Sequence, residues 1–117
     1  MRETSFLEKR VSSRIKVKIP VQCRLIEDKT ELAKMRGHHA LAKDLSLGGL
    51  FIKTVVPMKE GDIYGLEISM TIPRSIHVFA FAEVVRAMKT GAGIKLLLLA
   101  DEDHAALKEF LENSVTE

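Results

Sequence analysis

The sequence is poor in cysteine, in large aromatic side chains and in long apolar runs. Its 117 residues include a single cysteine, Cys23, so no disulfide can form within the chain. Tryptophan is absent and there is one tyrosine, so platforms on which nucleic-acid bases could stack are scarce. The longest apolar runs, such as 96–100, are far too short to span a bilayer, and the polar start MRETSFLEKR has no signal-peptide core. These absences favour a cytoplasmic domain without a membrane anchor.

The chain has enough apolar residues for the core of one ordinary domain, at 46% hydrophobic and 29% charged. Its charge is uneven. Residues 1–24 hold seven basic and two acidic side chains, whereas residues 101–117 hold six acidic side chains and one basic. The basic start points to an anionic partner, and the alternative is that the two ends neutralise each other across the surface.

Alternation of apolar and polar residues predicts β-strands along most of the chain. The first strand, from 15 to 25, places six apolar residues on one face and bases on the other, with Pro20 on the polar face. Further strands are predicted at about 39–45, 50–54, 63–72, 78–87 and 94–99, with turns at 57–62, 73–75 and 89–93. Six strands at this spacing predict a mainly β fold, a small antiparallel barrel.

The two ends of the chain and one internal segment differ from the strands. Residues 1–13 lack periodicity and are expected to form a flexible basic arm ahead of a domain at 14–117. Residues 27–37 are expected to form a polar connection that can hold a helical turn. A helix is predicted at about 101–115, with Asp101 as its cap, acidic residues in its first turn and an apolar face of Leu107, Phe110, Leu111 and Val115.

Two short motifs carry the candidate chemistry. The stretch KDLSLGG, Lys43–Gly49, contains D-x-S-x-x-G between two predicted strands. Asp, Ser and Gly in that position are explained by an ordinary turn, in which the side chains bond the backbone. The stretch RVSSR, Arg10–Arg14, is R-x-x-x-R where the arm meets the first strand. Two guanidinium groups at a hinge are poorly explained by folding and are well suited to bind phosphate or a guanine edge.

With both motifs in this order, and with EVVRA and GAGIKLL near the end, the sequence resembles the PilZ domain family from about Lys9 onwards. The resemblance implies a six-stranded antiparallel barrel of the split-barrel type with a C-terminal helix. It also implies binding of the bacterial second messenger cyclic di-GMP, as a ligand rather than a cofactor.

The resemblance assigns the ligand contacts to five residues: Arg10, Arg14, Asp44, Ser46 and Gly49. The arginines would contact guanine edges and phosphates, Asp44 and Ser46 would hydrogen-bond a guanine, and Gly49 would let the backbone turn and approach. Lys9 is a candidate for a further phosphate contact, with a solvated lysine as the alternative.

The function that follows is that of a non-catalytic receptor. Because 117 residues leave no room for an output domain, the signal is expected to pass to an effector protein when ligand orders residues 1–13. The resemblance suggests bacterial processes such as motility, exopolysaccharide or biofilm formation and virulence, without choosing among them.

Two other functions are compatible with the sequence. The first is a ligand-free protein–protein interaction module on the same fold. The second is a small nucleic-acid-binding barrel that uses Arg14, Lys16, Lys18 and Arg24, which the lack of interleaved aromatic residues disfavours. No catalytic constellation emerges, so an enzyme is not expected. No metal site is expected either, because His38 and His39 would point to opposite faces of a strand.

Overall fold

The computed structural model describes residues 14–26, 37–71 and 75–115, which form a closed antiparallel barrel of six strands and a helix. The elements are β1 (Ile15–Leu25), β2 (Gly37–Leu45), β3 (Gly49–Lys53), β4 (Ile63–Met70), β5 (Ile76–Met88), β6 (Gly91–Leu99) and α1 (Asp101–Val115). Around the barrel the strands follow the order β1–β2–β3–β6–β5–β4. The predicted fold class is confirmed. The arm at 1–13 and most of the polar connection lie outside the described residues, although Gly37 already belongs to β2.

The barrel interior is built by the apolar residues of each alternating strand. On β1 the side chains of Ile19, Val21 and Cys23 are buried, while Lys16, Lys18 and Arg24 are exposed. Pleated strands point successive side chains to opposite faces, so this alternation fixes which face of β1 forms the core. The other strands add buried residues such as Leu50, Ile68 and Ile94.

The helix α1 covers part of the barrel with its apolar face. It packs mainly on β5, and Leu107 and Leu111 are fully buried there. The acidic residues Asp101, Glu102 and Asp103 lie in its first turn, as predicted. The prediction that Asp101 caps the helix is wrong by one residue, because the carbonyl of Ala100 already accepts the first helical hydrogen bond, from the N–H of His104.

The start of β6 also differs from the sequence prediction. The sequence predicts a turn at 89–93, but β6 begins at Gly91 and pairs there with Lys53 of β3. A Cβ at Gly91 would overlap the carbonyl oxygen of Ile52 and touch the ring of Phe51. Gly91 is therefore required by the close approach of two strands. In the local sequence, a glycine required for this reason looks the same as a glycine in a turn.

Candidate functional site

The last arginine of the first motif, Arg14, and the aspartate of the second, Asp44, meet at one end of β1. Arg14 lies immediately before β1, and Asp44 is the residue before last in β2, which pairs with β1 through Lys16 and Asp44. The Arg14 Nη1 donates to Asp44 Oδ1 at 2.6 Å, although the two residues are thirty positions apart. Asp44 Oδ1 also accepts the backbone N–H of Phe51 at 3.2 Å. The β1–β2 register therefore places an arginine and a carboxylate together on the surface.

The ion pair between these residues is accessible to solvent. The Arg14 and Asp44 side chains are 51% and 30% exposed. Exposed pairs contribute about 0–1 kcal/mol to stability because water competes for both charges. The pair is thus a weak contact that either partner can exchange for another charged or hydrogen-bonding group.

Ser46 organises the turn between β2 and β3. Its buried hydroxyl donates to the carbonyl of Gly49 at 3.1 Å and accepts the N–H groups of Gly48 and Gly49 at 3.3 and 3.1 Å. The Ser46 N–H also donates to the Gly49 carbonyl, at 2.8 Å. These bonds match the structural explanation of D-x-S-x-x-G, in which serine bonds its own turn.

Gly49 is required by a close approach rather than by an unusual backbone angle. Among the described residues only Gly61 has a positive φ, of 94°. A Cβ on Gly49 would instead overlap the carbonyl oxygen of Ile94 on β6. Gly49 thus allows the close approach of β3 and β6. A close approach of Gly49 to a ligand stays a prediction.

A row of outward-facing residues extends from Asp44 across the sheet. The strand registers align Lys16 with Asp44, Asp44 with Phe51, Phe51 with Gly93, and Gly93 with Arg86. Lys16 and Arg86 are exposed, Phe51 is half-buried, and Gly93 has no side chain to fill the space between Phe51 and Arg86. The row offers cations at both ends and a flat apolar centre. No local motif marks Phe51, Gly93 or Arg86 as site residues, because only the strand register brings them together.

Arg10 and Lys9 lie outside the described residues, so their predicted ligand contacts stay predictions. Within the described ranges, no group of three or more His, Cys, Asp or Glu side chains could hold a metal ion. In that same part of the chain, no helix is both long and apolar enough to cross a membrane.

The closed six-stranded barrel with its C-terminal helix is the fold of a known family of domains. The family model described as the PilZ domain matches residues 8–113. The chain therefore belongs to the PilZ domain family. No curated protein matches the sequence at a significant level.

Solved structures share the fold at low sequence identity. The inhibitor of motility MotI/DgrA of Bacillus subtilis is 16% identical with a TM-score of 0.70, over 86% of this chain and 48% of that protein. The PilZ domain of CeSA from a cellulose-synthesising bacterium is 16% identical with a TM-score of 0.67, over 88% of this chain and 98% of that domain. The PilZ domain of Escherichia coli YcgR with c-di-GMP is 17% identical with a TM-score of 0.63, over 86% of this chain and 87% of that one. The chain thus spans about half of MotI/DgrA and nearly all of the isolated CeSA domain.

Proposed function

We propose that this PilZ domain binds cyclic di-GMP at the surface that contains Arg14 and Asp44. The observation that carries the proposal is the contact between these two side chains, which joins the last arginine of R-x-x-x-R to the aspartate of D-x-S-x-x-G. Membership of the PilZ family and the fold shared with a YcgR domain solved with c-di-GMP support it.

The chemistry of the surface suits a dinucleotide with two guanines and two phosphodiester charges. Arg14 offers a guanidinium fork to guanine N7 and O6 or to a phosphate. The second oxygen of Asp44 can accept N–H groups from the Watson–Crick edge of a guanine. Lys16 and Arg86 add positive charge at the ends of the outward row, and Gly93 leaves room for a planar base beside Phe51.

Ser46 has a positioning role in this proposal. Its hydroxyl donates a hydrogen bond to the carbonyl of Gly49, and its oxygen accepts the N–H groups of Gly48 and Gly49. It holds the turn that presents Asp44, and a direct contact with guanine is the second role that its family position predicts.

The proposal includes the segment before Arg14. Arg10, and with it Lys9, would close over the ligand, and the ordering of residues 1–13 would change the surface offered to an effector protein. A few charge-assisted hydrogen bonds, each worth roughly 1.5–3 kcal/mol, can offset the entropy lost when a short arm is ordered.

The test is isothermal titration with cyclic di-GMP, with GTP and cyclic di-AMP as control ligands. Arg14→Ala should weaken binding by about tenfold to a hundredfold, the equivalent of one charge-assisted bond, and Asp44→Ala should do the same. Arg24→Ala is the matched control, because Arg24 is an exposed arginine at the other end of β1 and should leave the affinity unchanged.

One observation favours a second candidate, a ligand-free interaction module. Asp44 and Ser46 both have hydrogen-bond partners within the protein, so the motif forms a complete turn without ligand. That function predicts no heat with cyclic di-GMP and no chemical-shift changes at 44–49. Binding of cyclic di-GMP but not of the control ligands, weakened in Arg14→Ala and unchanged in Arg24→Ala, would overturn it.

A further inference from the structure

An apolar groove lies on the outside of the barrel, away from the candidate ligand site. It is lined by side chains of β1, β4, β5 and β6 and by the start of α1, and it has a volume of about 630 Å³. Its large apolar side chains are Ile26, Phe79, Phe81 and Leu98, which are 41%, 55%, 48% and 63% exposed. Three of them occupy outward strand positions, which are normally polar, and Ile26 directly follows β1, so four exposed apolar residues in one place require an explanation.

The strand registers show how the groove is formed. Arg24 pairs with Gly65, Gly65 with Phe81, and Phe81 with Leu98, so these four residues form one row across β1, β4, β5 and β6. Gly65 has no side chain and forms the floor, where the Cδ1 of Ile26 lies 3.6 Å from the position that a Cβ would take. The neighbouring row pairs Glu67 with Phe79.

The charges at the two sides of the groove have opposite signs. Arg24 lies on the β1 side, and Asp103 lies on the side of Leu98, in the first turn of α1. Neither residue forms an ion pair with another of the residues that the structure describes. A third charged residue, Glu67 of β4, also lines the groove, and its Oε2 lies 3.0 Å from the Nδ1 of His77. With Glu67 in contact with His77, the charges left for a partner are positive on the β1 side of the apolar centre and negative at the start of α1.

A surface with this pattern is complementary to itself. Rotation by 180° about an axis through the phenylalanine pair places Arg24 of one copy near Asp103 of the other and brings the two apolar centres together. Isologous contacts of this kind are the basis of twofold dimers, the commonest oligomers of soluble proteins. We propose that the groove is a homodimer interface, in which Phe79 and Phe81 form the centre and two symmetric Arg24–Asp103 pairs form the rim.

The size of the patch sets the expected strength of the dimer. Apolar patches of about 300–600 Å² are the largest that typical monomers expose, and stable interfaces bury about 800 Å² per partner. The groove is lined by thirteen residues, fewer than the roughly 20–30 residues per partner of a standard interface, so we expect a weak, concentration-dependent dimer. The groove and the candidate ligand site use opposite ends of β1, at Arg24 and Lys16 respectively, so dimerisation leaves Arg14 and Asp44 accessible.

The first test is sedimentation equilibrium of the whole chain at increasing concentration, up to several hundred micromolar. We expect the mass to rise from the monomer value of 13.1 kDa towards twice that value. Phe81→Ser should weaken dimerisation by at least about tenfold, since central aromatic residues dominate interfaces. Val55→Ser is the matched control, because Val55 is 96% exposed and lies outside the groove.

A charge exchange tests the twofold arrangement itself. Arg24→Asp and Asp103→Arg should each weaken dimerisation by about tenfold or more, because each places like charges opposite each other. The double variant should restore the wild-type dissociation constant. A monomer at every concentration, open-ended association, or a double variant no better than the single ones would overturn the proposal. Phe81→Ser should keep the wild-type melting temperature, which excludes loss of folding as the cause.

Discussion

Gly49 of β3 faces the carbonyl oxygen of Ile94 on β6 so closely that a Cβ at Gly49 would overlap it. The relationship explains why the last position of D-x-S-x-x-G is glycine in this chain. It also links the candidate site to the barrel, because the turn that begins at Ser46, directly after the end of β2 that contains Asp44, is held against β6 at this point. The contact exists without any ligand.

Gly49→Ala should destabilise the domain by about 1–3 kcal/mol, since backbone atoms on two strands must move apart. Gly48→Ala is the matched control, because a Cβ at position 48 would have no neighbour within 4 Å and the backbone φ there is not left-handed. Its effect should stay within about 0.5 kcal/mol. Urea denaturation of both variants measures the difference, and equal stabilities would contradict the steric explanation.

Ser46→Ala should lower the free energy of unfolding by about 1–3 kcal/mol, because the buried N–H of Gly49 then loses its hydrogen-bond acceptor. Amide hydrogen exchange at Gly49 should accelerate in the same variant. Ser69→Ala serves as the control, since the Ser69 hydroxyl contacts His77 at the surface, and it should change stability by less than about 0.5 kcal/mol. If Ser46 served only a ligand, both variants would unfold at the same urea concentration.

The sequence predicts several residues of the candidate site, but not the contacts between strands that hold them in place. Alternation along 15–25 identified the inward residues of β1, and the motifs identified Arg14 and Asp44, because both signals are local. The roles of Gly49 and Gly91 depend on β6 and β3, which are distant in sequence. The same holds for Phe51, Gly93 and Arg86, whose positions beside Asp44 follow from strand pairing alone.

The thiol of Cys23 should be unreactive in the folded protein. Cys23 is fully buried in the barrel, and burial raises the pKa of its thiol to about 12. Because the thiolate is the reactive form, native Cys23 should react with Ellman's reagent at pH 8 at least about a hundredfold more slowly than the chain in guanidinium. The rate also reports on opening of the barrel and should rise in Gly49→Ala. Equal native and denatured rates would show that Cys23 is accessible.

His38 should make the stability of the domain depend on pH. Burial lowers the pKa of His38, the neighbouring His39 lowers it further, and the ring packs edge-on against Tyr64 at 6.1 Å between centroids. In the unfolded chain the pKa of histidine is about 6.5, so just below that pH the unfolded state binds more protons and stability falls as the pH decreases. The contribution of His38 to the free energy of unfolding is complete above about pH 6.5 and is lost as the pH falls towards its folded pKa.

Urea denaturation at pH 7.5 and at pH 5.5 measures this loss. Between the two pH values, the free energy of unfolding of His38→Gln should fall by less than that of the wild type. The exposed control His104→Gln should lose as much as the wild type. The same loss in all three proteins would assign the pH dependence to other groups.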